Sequence, residues 1–492
     1  MTRLDQRRTP LVDALIKYVH DGVVPFHTPG HKQGKGIKSD FFDFIGRNTL
    51  AIDLALPELD DFQRTTGPIK EAQELAADLY GAEQSFFVIN GTTGGIYAMI
   101  LTICGPGDKI IIPRNVHRSI IGGIILCGGC PVFVEPVVDY AFGIAMGVTC
   151  NAVAEALAQH PDAKGVLLIN PTYHGVVSNI RAIIELVHGY GIPVIVDEAH
   201  GPHLEFSDEL PLSAMAAGAD ICSQSTHKIL GAMTQASIVH ARSGLISISR
   251  LKTMLQLVQT TSPNYVLLAS LDAARAHMAA EGRDLVGRSI EIAQKIHVQV
   301  NQIPGLYCLG EERLSCQGMH SFDPTKVTVI VKGIGLSGSE VEYLLRHNYN
   351  IQVELSDLYS VLLIVTLGDG FTEADSLIKA FADLVKKYGK CSNLITGPVT
   401  TGLPHPPKQL ILPREAMFAR AVVVPFAQAA GQICTEFVTI YPPGIPLLCP
   451  GEQITQELIE YCQMLQAAGQ HISGPEDTNL LTIKVVEGEP KL

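Results

Sequence analysis

Residues 193–200 read PVIVDEAH and residues 220–228 read DICSQSTHK. Each is a short apolar run that ends in polar residues able to do chemistry, the pattern of a strand buried on both faces whose carboxyl end opens onto a ligand. Working outward, the same pattern recurs in SFFVIN (85–90), KIIIP (109–113), PVFVEP (131–136), GVLLIN (165–170) and QASIVH (235–240), with helical periodicity between the runs. This alternation predicts an α/β fold with a mostly parallel sheet and helices on both of its faces. Polar residues follow the runs directly: Asn90 and Gly91, Asn170 and Pro171, Asp197, and Lys228. Open α/β sheets bind ligands at the carboxyl ends of their strands, so these placements support one another.

Beyond the alternating region, residues 245–302 read as helical in two stretches parted by 260–264. From 326 the pattern changes to KVTVIVKG, a helix over 339–347, NIQVEL, LLIVTLG and a last helix to about 387, which predicts a small α+β domain. Residues 391–413 are rich in Thr, Gly and Pro and read as a linker. The remaining segment carries YPPGIPLLCPGE (441–452) and a helix near 455–468. The expected organisation is therefore an N-terminal segment 1–60, a large domain 61–325, a small α+β domain 326–390, a linker 391–413 and a C-terminal α+β domain 414–492.

A chain of 492 residues exceeds the size at which single cores stop growing. Charged residues make up only 17% against about 25% in average soluble proteins. That deficit predicts deep burial and a wide subunit interface, hence a homo-oligomer. With 36 Lys and Arg against 49 Asp and Glu, the net charge of -13 argues against nucleic acid or an anionic membrane as a partner and suits a cationic ligand. The start, MTRLDQRRTPLVDALIKYV, is basic, but Asp13 and Lys17 interrupt the apolar segment a signal peptide needs, so it reads as an amphipathic helix. The longest apolar run, 119–134, is broken by four Gly and a Pro and falls short of the roughly 20 residues of a membrane span. A soluble, cytoplasmic protein is expected, and eleven Cys without a framework fit a reducing compartment. Cys127 and Cys130 form a CxxC, but no second Cys or His pair follows to complete a zinc site, and no metal is expected.

The polar residues at the strand ends have the parts of a pyridoxal phosphate (PLP) site. Lys228 supplies an amine that can bond an aldehyde as an imine, and Asp197 a carboxylate that can hold a pyridine nitrogen protonated, which makes the ring an electron sink. Burying Asp197 after PVIV costs several kcal/mol unless a cation compensates, and a pyridinium is such a cation. Ala199 is small enough to lie under one face of the ring. Asn90-Gly91-Thr92-Thr93-Gly94-Gly95 opens a helical pattern, where backbone amides, hydroxyls and the helix dipole favour a phosphate. Ser225 and His227 can complete that cup, and His117, after KIIIP, can stack on the ring. Taken singly, each has a plainer explanation: an N-cap for the Gly-Thr turn, a helix cap for His117, solvated groups for Asp197 and Lys228.

Together with FHTPGHK (26–32), PGDK (106–109), NPTY (170–173), DEAHG (197–201), residues 353–359 and residues 441–452, these motifs resemble the Orn/Lys/Arg decarboxylase family of PLP enzymes of fold-type I, and most of all its short arginine decarboxylase branch. The resemblance covers nearly the whole chain. It implies an aspartate aminotransferase-like large domain, with Lys228 as the Schiff-base lysine, Asp197 as the pyridine partner and His117 as the stacking ring. Thr92, Thr93, Ser225 and His227 would hold the phosphate, and His200 would stand near the substrate end and share acid catalysis with Lys228. The chain starts almost directly at the cofactor-domain region, without the N-terminal wing domain through which long members build decamers, so a homodimer or a dimer of dimers is expected. Where the resemblance allows an aromatic residue after the aspartate, this chain, which has no Trp, has His200.

The reaction so implied is decarboxylation of a basic amino acid, arginine to agmatine and CO2, in polyamine biosynthesis. Its cationic side chain needs acids: Glu354 and Asp357 in VELSDLY, Glu452 in PGE, or Asp60 and Asp61 in ELDDF. Glu452 leads, because its Pro-rich segment is unusually rigid for a surface loop. Lysine and ornithine stay open as substrates. A PLP aminotransferase would share Lys228 and Asp197 but needs an Arg for the α-carboxylate in the small domain, where Arg346 is the only one. A catalytically silent PLP-binding protein is the other alternative.

Overall fold

The computed structural model describes residues 4–54, 56, 59–389, 404–440 and 444–488. Most of the expected linker and the YPP of residues 441–443 lie outside them. The chain forms two compact units, each assembled from two stretches: residues 1–102 with 193–286, and residues 103–192 with 287–492.

In the first unit the strands lie in the order Gln84–Val88, Ser237–Ala241, Ile221–Gln224, Val194–Asp197. The last pair is parallel, whereas Ser237–Ala241 runs antiparallel to both of its neighbours. Val194–Asp197 and Ile221–Gln224 are buried at every position, as their unbroken apolar runs require. The amphipathic N-terminal helix, Pro10–His20, inserts Leu11 and Leu15 into a core with Ile69, Ala72, Ala76, Phe87, Ile238 and Leu268. Its first turn is tied down by Asp272, which accepts from Leu11 N at 2.9 Å and pairs with the buried Arg275 at 2.6 Å. The two helices read over 245–302 appear as Ile248–Val258 and Tyr265–Val300.

The second unit holds a parallel sheet in the order Gly165–Ile169, Lys109–Pro113, Cys130–Val134. It also holds an antiparallel sheet in the order Tyr307–Cys308, Lys326–Ile330, Ser360–Ile364, Leu355–Ser356. Helices Gly338–Tyr349 and Phe371–Tyr388 pack Val341, Leu345, Leu377 and Phe381 against that sheet. The first of these helices starts where the sequence directs: Ser337 Oγ accepts from Glu340 N at 3.2 Å, and the Glu340 carboxylate accepts from Ser337 N at 2.7 Å. NIQVEL (350–355), expected as a strand, contributes only its last residue to the sheet, in the short strand Leu355–Ser356. The C-terminal part adds helix Gln456–Ala467 and two small antiparallel sheets around Phe426, Leu448, Leu458 and Ile483. Among the described residues no helix is long and apolar enough to cross a membrane.

Candidate active site

In the first unit, strand Val194–Asp197 delivers Asp197 to its carboxyl end, and the neighbouring parallel strand Ile221–Gln224 runs into Ser225 and the single-turn helix Thr226–Ile229 that carries Lys228. Lys228 Nζ lies 3.0 Å from His200 Nε2. His200 is buried and Lys228 half-buried, so a proton placed between the two nitrogens is shielded from bulk water. Asp197 is buried, and among the described residues its one hydrogen-bond donor is Ala199 N at 3.1 Å. Burial pushes its carboxyl above the ordinary range, against the backbone hydrogen bond from Ala199 and the more distant charge of Lys228. Among the described residues no cation contacts this acid directly, and a protonated pyridine nitrogen would supply one.

The hydroxyl cluster sits close by in the same unit. Thr92 Oγ1 lies 2.6 Å from Ser225 Oγ and 3.1 Å from Ser237 Oγ, and all three residues are buried. They meet because helix Gly91–Ile103 comes down onto the sheet at Gly95: a Cβ there would stand 2.3 Å from Ser223 Oγ. Gly91, at φ +65°, takes a backbone that other residues resist and turns the chain from strand to helix. Three hydroxyls beside a helix start are donors of the right kind for a phosphate. Thr93 is exposed on the same first turn. His227 Nδ1 donates to Ala236 O at 2.8 Å, so its Nε2 reaches a phosphate as donor only with a second proton, which burial and the charge of Lys228 disfavour. Ser237, inside the run QASIVH, had no assigned role in the sequence, although a hydroxyl in an apolar strand was a signal for one.

A second feature missed in the sequence lies behind Asp197. Glu198 is fully buried and accepts from Ala214 N at 2.6 Å and from Gln224 Nε2 at 2.9 Å. His240 Nε2 donates to Gln224 Oε1 at 3.2 Å, and Ser85 Oγ donates to His240 Nδ1 at 2.7 Å. This relay spans four strands and pins the backbone next to Asp197; burial holds the His240 imidazole neutral, with its pKa pushed down to about 3.

In the second unit, His117 caps helix Arg118–Cys127: its Nδ1 accepts from Ser119 N at 3.2 Å and lies 2.7 Å from Ser119 Oγ. A ring nitrogen that accepts a backbone N–H carries no proton, so the neutral ring bears its hydrogen on Nε2. Glu452 is fully buried, and its Oε2 accepts from Cys449 N at 2.7 Å and from Arg114 Nη2 at 3.1 Å. Burial nonetheless pushes its pKa up to about 7 against the Arg114 charge. Asp357 accepts from the backbone N–H of Tyr359 and Ser360 and from Ser360 Oγ, each at 2.7 Å, closing the turn between two strands. Glu354 and Arg346 are exposed. In the first unit, Asp60 caps helix Pro68–Leu79 by accepting from Thr66 N at 2.7 Å and Ile69 N at 2.9 Å, and Asp61 accepts from Gln63 N at 2.9 Å.

The family model for the major domain of Orn/Lys/Arg decarboxylases matches residues 9–373, and that for their C-terminal domain matches residues 403–479. The chain belongs to the Orn/Lys/Arg decarboxylase family. It is 47% identical over 485 residues to an arginine decarboxylase of Halalkalibacterium halodurans, covering 98% of each chain. It is 46% identical to an arginine decarboxylase of Bacillus subtilis, with 98% of this chain and 99% of that one covered. The solved structure of the Francisella novicida lysine decarboxylase superposes with a TM-score of 0.84 at 24% identity, over 97% of this decarboxylase and 81% of that chain. The fold is therefore the expected fold-type I arrangement, with a mostly parallel sheet in an α/β domain.

Proposed function

We propose that this decarboxylase uses PLP to convert L-arginine into agmatine and CO2. The observation that carries the reading is the Lys228–His200 contact of 3.0 Å beside a buried Asp197 that, among the described residues, has no cation in direct contact. Near-identical length and 46–47% identity to two arginine decarboxylases support arginine as the substrate.

In this proposal Lys228 would bind the cofactor aldehyde through Nζ, Asp197 would keep the pyridine nitrogen protonated, and Ala199 and His117 would pack against the ring. Thr92, Thr93 and Ser225 would hold the phosphate, joined by Ser237, while His227, whose Nδ1 proton is spent on Ala236 O, would reach it as a donor only when doubly protonated. PLP when bound supplies the electron sink into which the Cα–carboxylate bond pair passes as CO2 leaves. The half-buried Lys228 and buried His200 limit water, so the proton returned to Cα comes from Lys228 Nζ or His200 Nε2. The Asp197 carboxylate, kept from other donors by burial, is free to hold the cofactor's proton rather than a side chain of its own chain. For the guanidinium of the substrate, Glu354 and Asp357 stand as candidate acids, while Glu452 is engaged by Arg114. The minimal unit is a homodimer, which the exposed Phe26, Phe41 and Phe44 support, and the free thiols of the ten described Cys fit the cytoplasm.

The test is turnover of arginine, lysine and ornithine by one preparation supplied with PLP, reading CO2 and the amine product. Arginine should be strongly preferred. A clear preference for lysine would replace the substrate, and glutamate formation without CO2 would overturn the reaction.

A further inference from the structure

The loop between strand Lys109–Pro113 and helix Arg118–Cys127 is gripped at both ends by one stretch from the C-terminal part of the same unit. At its start, Arg114 Nη1 donates to Pro446 O at 3.1 Å, and Nη2 donates to Leu447 O and Glu452 Oε2, each at 3.1 Å. The guanidinium also lies 4.9 Å from the centre of the Phe133 ring. At the other end, Arg118 N donates to Gly444 O at 3.0 Å, and the Arg118 guanidinium stands 5.5 Å from the Phe437 ring. His117 sits between the two grips.

A buried ion pair is a poor way to gain stability, because apolar side chains of similar volume often do as well or better. What the planar guanidinium fork supplies is direction, since its donors meet acceptors at fixed angles. Here that fork is aimed at two carbonyls and a carboxylate whose own oxygen is set by Cys449 N, so the chain entering residues 115–118 has one allowed course. Simple adhesion between the two segments is available elsewhere: Arg414 Nη1 donates to Leu126 O at 2.8 Å, at the far end of the same helix.

We propose that Arg114 and Glu452 are positioning residues for the cofactor site: by fixing the start of the 114–118 loop, whose far end Arg118 N anchors on Gly444 O, they set the tilt and height of the His117 ring, without touching cofactor or substrate. This rests on the reading of His117 as the residue stacked on PLP. It also gives the C-terminal domain a part in catalysis, as a splint for a residue more than three hundred positions earlier.

The test compares wild type with Arg114→Lys, with the apolar pair Arg114→Met/Glu452→Leu, and with Arg414→Ala as a control. The apolar pair keeps the fold if either single variant loses it. Amide exchange of residues 115–119 in cofactor-free protein should quicken by about tenfold in the pair variant, and PLP should bind about tenfold more weakly, with kcat reduced more than KM is changed. The circular dichroism of the bound cofactor should weaken, and Arg414→Ala should match wild type in each measurement. In a His117→Ala background the pair substitution should have no further effect on PLP affinity, an interaction that general damage to the fold would not produce. Wild-type protein that bound no PLP would overturn the functional reading and this inference together. Normal PLP binding with unaltered loop exchange and affinity in the folded pair variant, or full additivity with His117→Ala, would overturn this inference alone.

Discussion

Asp197 and Glu452 are both buried acids whose carboxyl groups burial pushes upward, yet the molecule surrounds them differently. Glu452 has a guanidinium at 3.1 Å and a backbone donor at 2.7 Å, both from its own chain. Asp197 has one backbone donor, Ala199 N, and among the described residues no side chain that donates to it. An acid whose counter-charge is internal belongs to the architecture, whereas one left without a cation is kept for something that binds. The same contrast separates the Glu198 relay, satisfied by neutral donors, from the Lys228–His200 pair, whose nitrogens are proposed to return the proton to Cα.

The largest expected effect is at Lys228. Lys228→Ala should lower CO2 release from arginine by at least about a thousandfold while leaving the unfolding midpoint of the cofactor-free protein near that of wild type. A variant that kept its decarboxylation would break the assignment of the whole cradle. Asp197→Asn should follow, at about a hundredfold in rate, with the cofactor-free fold as stable as before or more so, because an uncompensated buried acid has been removed. The stabilisation conferred by added PLP should shrink in that variant, measured as the shift in unfolding temperature. Glu452→Gln should do the reverse: it leaves Arg114 buried without its counter-charge, at a cost of about 3 kcal/mol to the cofactor-free fold by denaturant titration. If Asp197→Asn lost as much stability as Glu452→Gln, the distinction between the two acids would fail.

A smaller effect concerns the relay behind Asp197. Burial lets His240 take up a second, charging proton only below about 3 in the folded protein, against an ordinary value of 6.5 that applies to the unfolded chain. The unfolded chain therefore takes up a proton first as the pH falls, so the contribution is intact above 6.5 and is lost progressively towards 3. The slope from this one group is about 1.4 kcal/mol per pH unit. Denaturant unfolding at pH 7, 6 and 5 should show the decline in wild type and a flatter one in His240→Gln. Equal slopes in the two proteins would show that the relay does not carry a neutral imidazole.

The strands were legible because each is written locally, as an apolar run ended by Asn90, Pro113, Asn170, Asp197 or Ser225. The helix read over 339–347 was likewise local, and the structure starts it at Gly338 behind the Ser337–Glu340 capping box. Where pairing decides, local pattern was less informative. Nothing in QASIVH marks its strand as antiparallel to both neighbours, and only Leu355 of NIQVEL enters the two-residue strand Leu355–Ser356 because Asp357 turns the chain back, though Glu354 N still bonds Leu362 O at 2.9 Å. In the site, Lys228, Asp197 and the Thr92 turn were readable from residue type at strand ends, while Ser237 and the Glu198 relay were not, since their partners come from other strands.

By itself the sequence determined the α/β class and the family, and named the amine, acid and hydroxyl residues proposed for a PLP site, because those depend on local periodicity and on residue chemistry at strand ends. Only the tertiary structure decided which acids already have partners. Compensation of a buried charge is set by distance in space, and Arg114 and Glu452, 338 positions apart, meet at 3.1 Å only once the chain has folded.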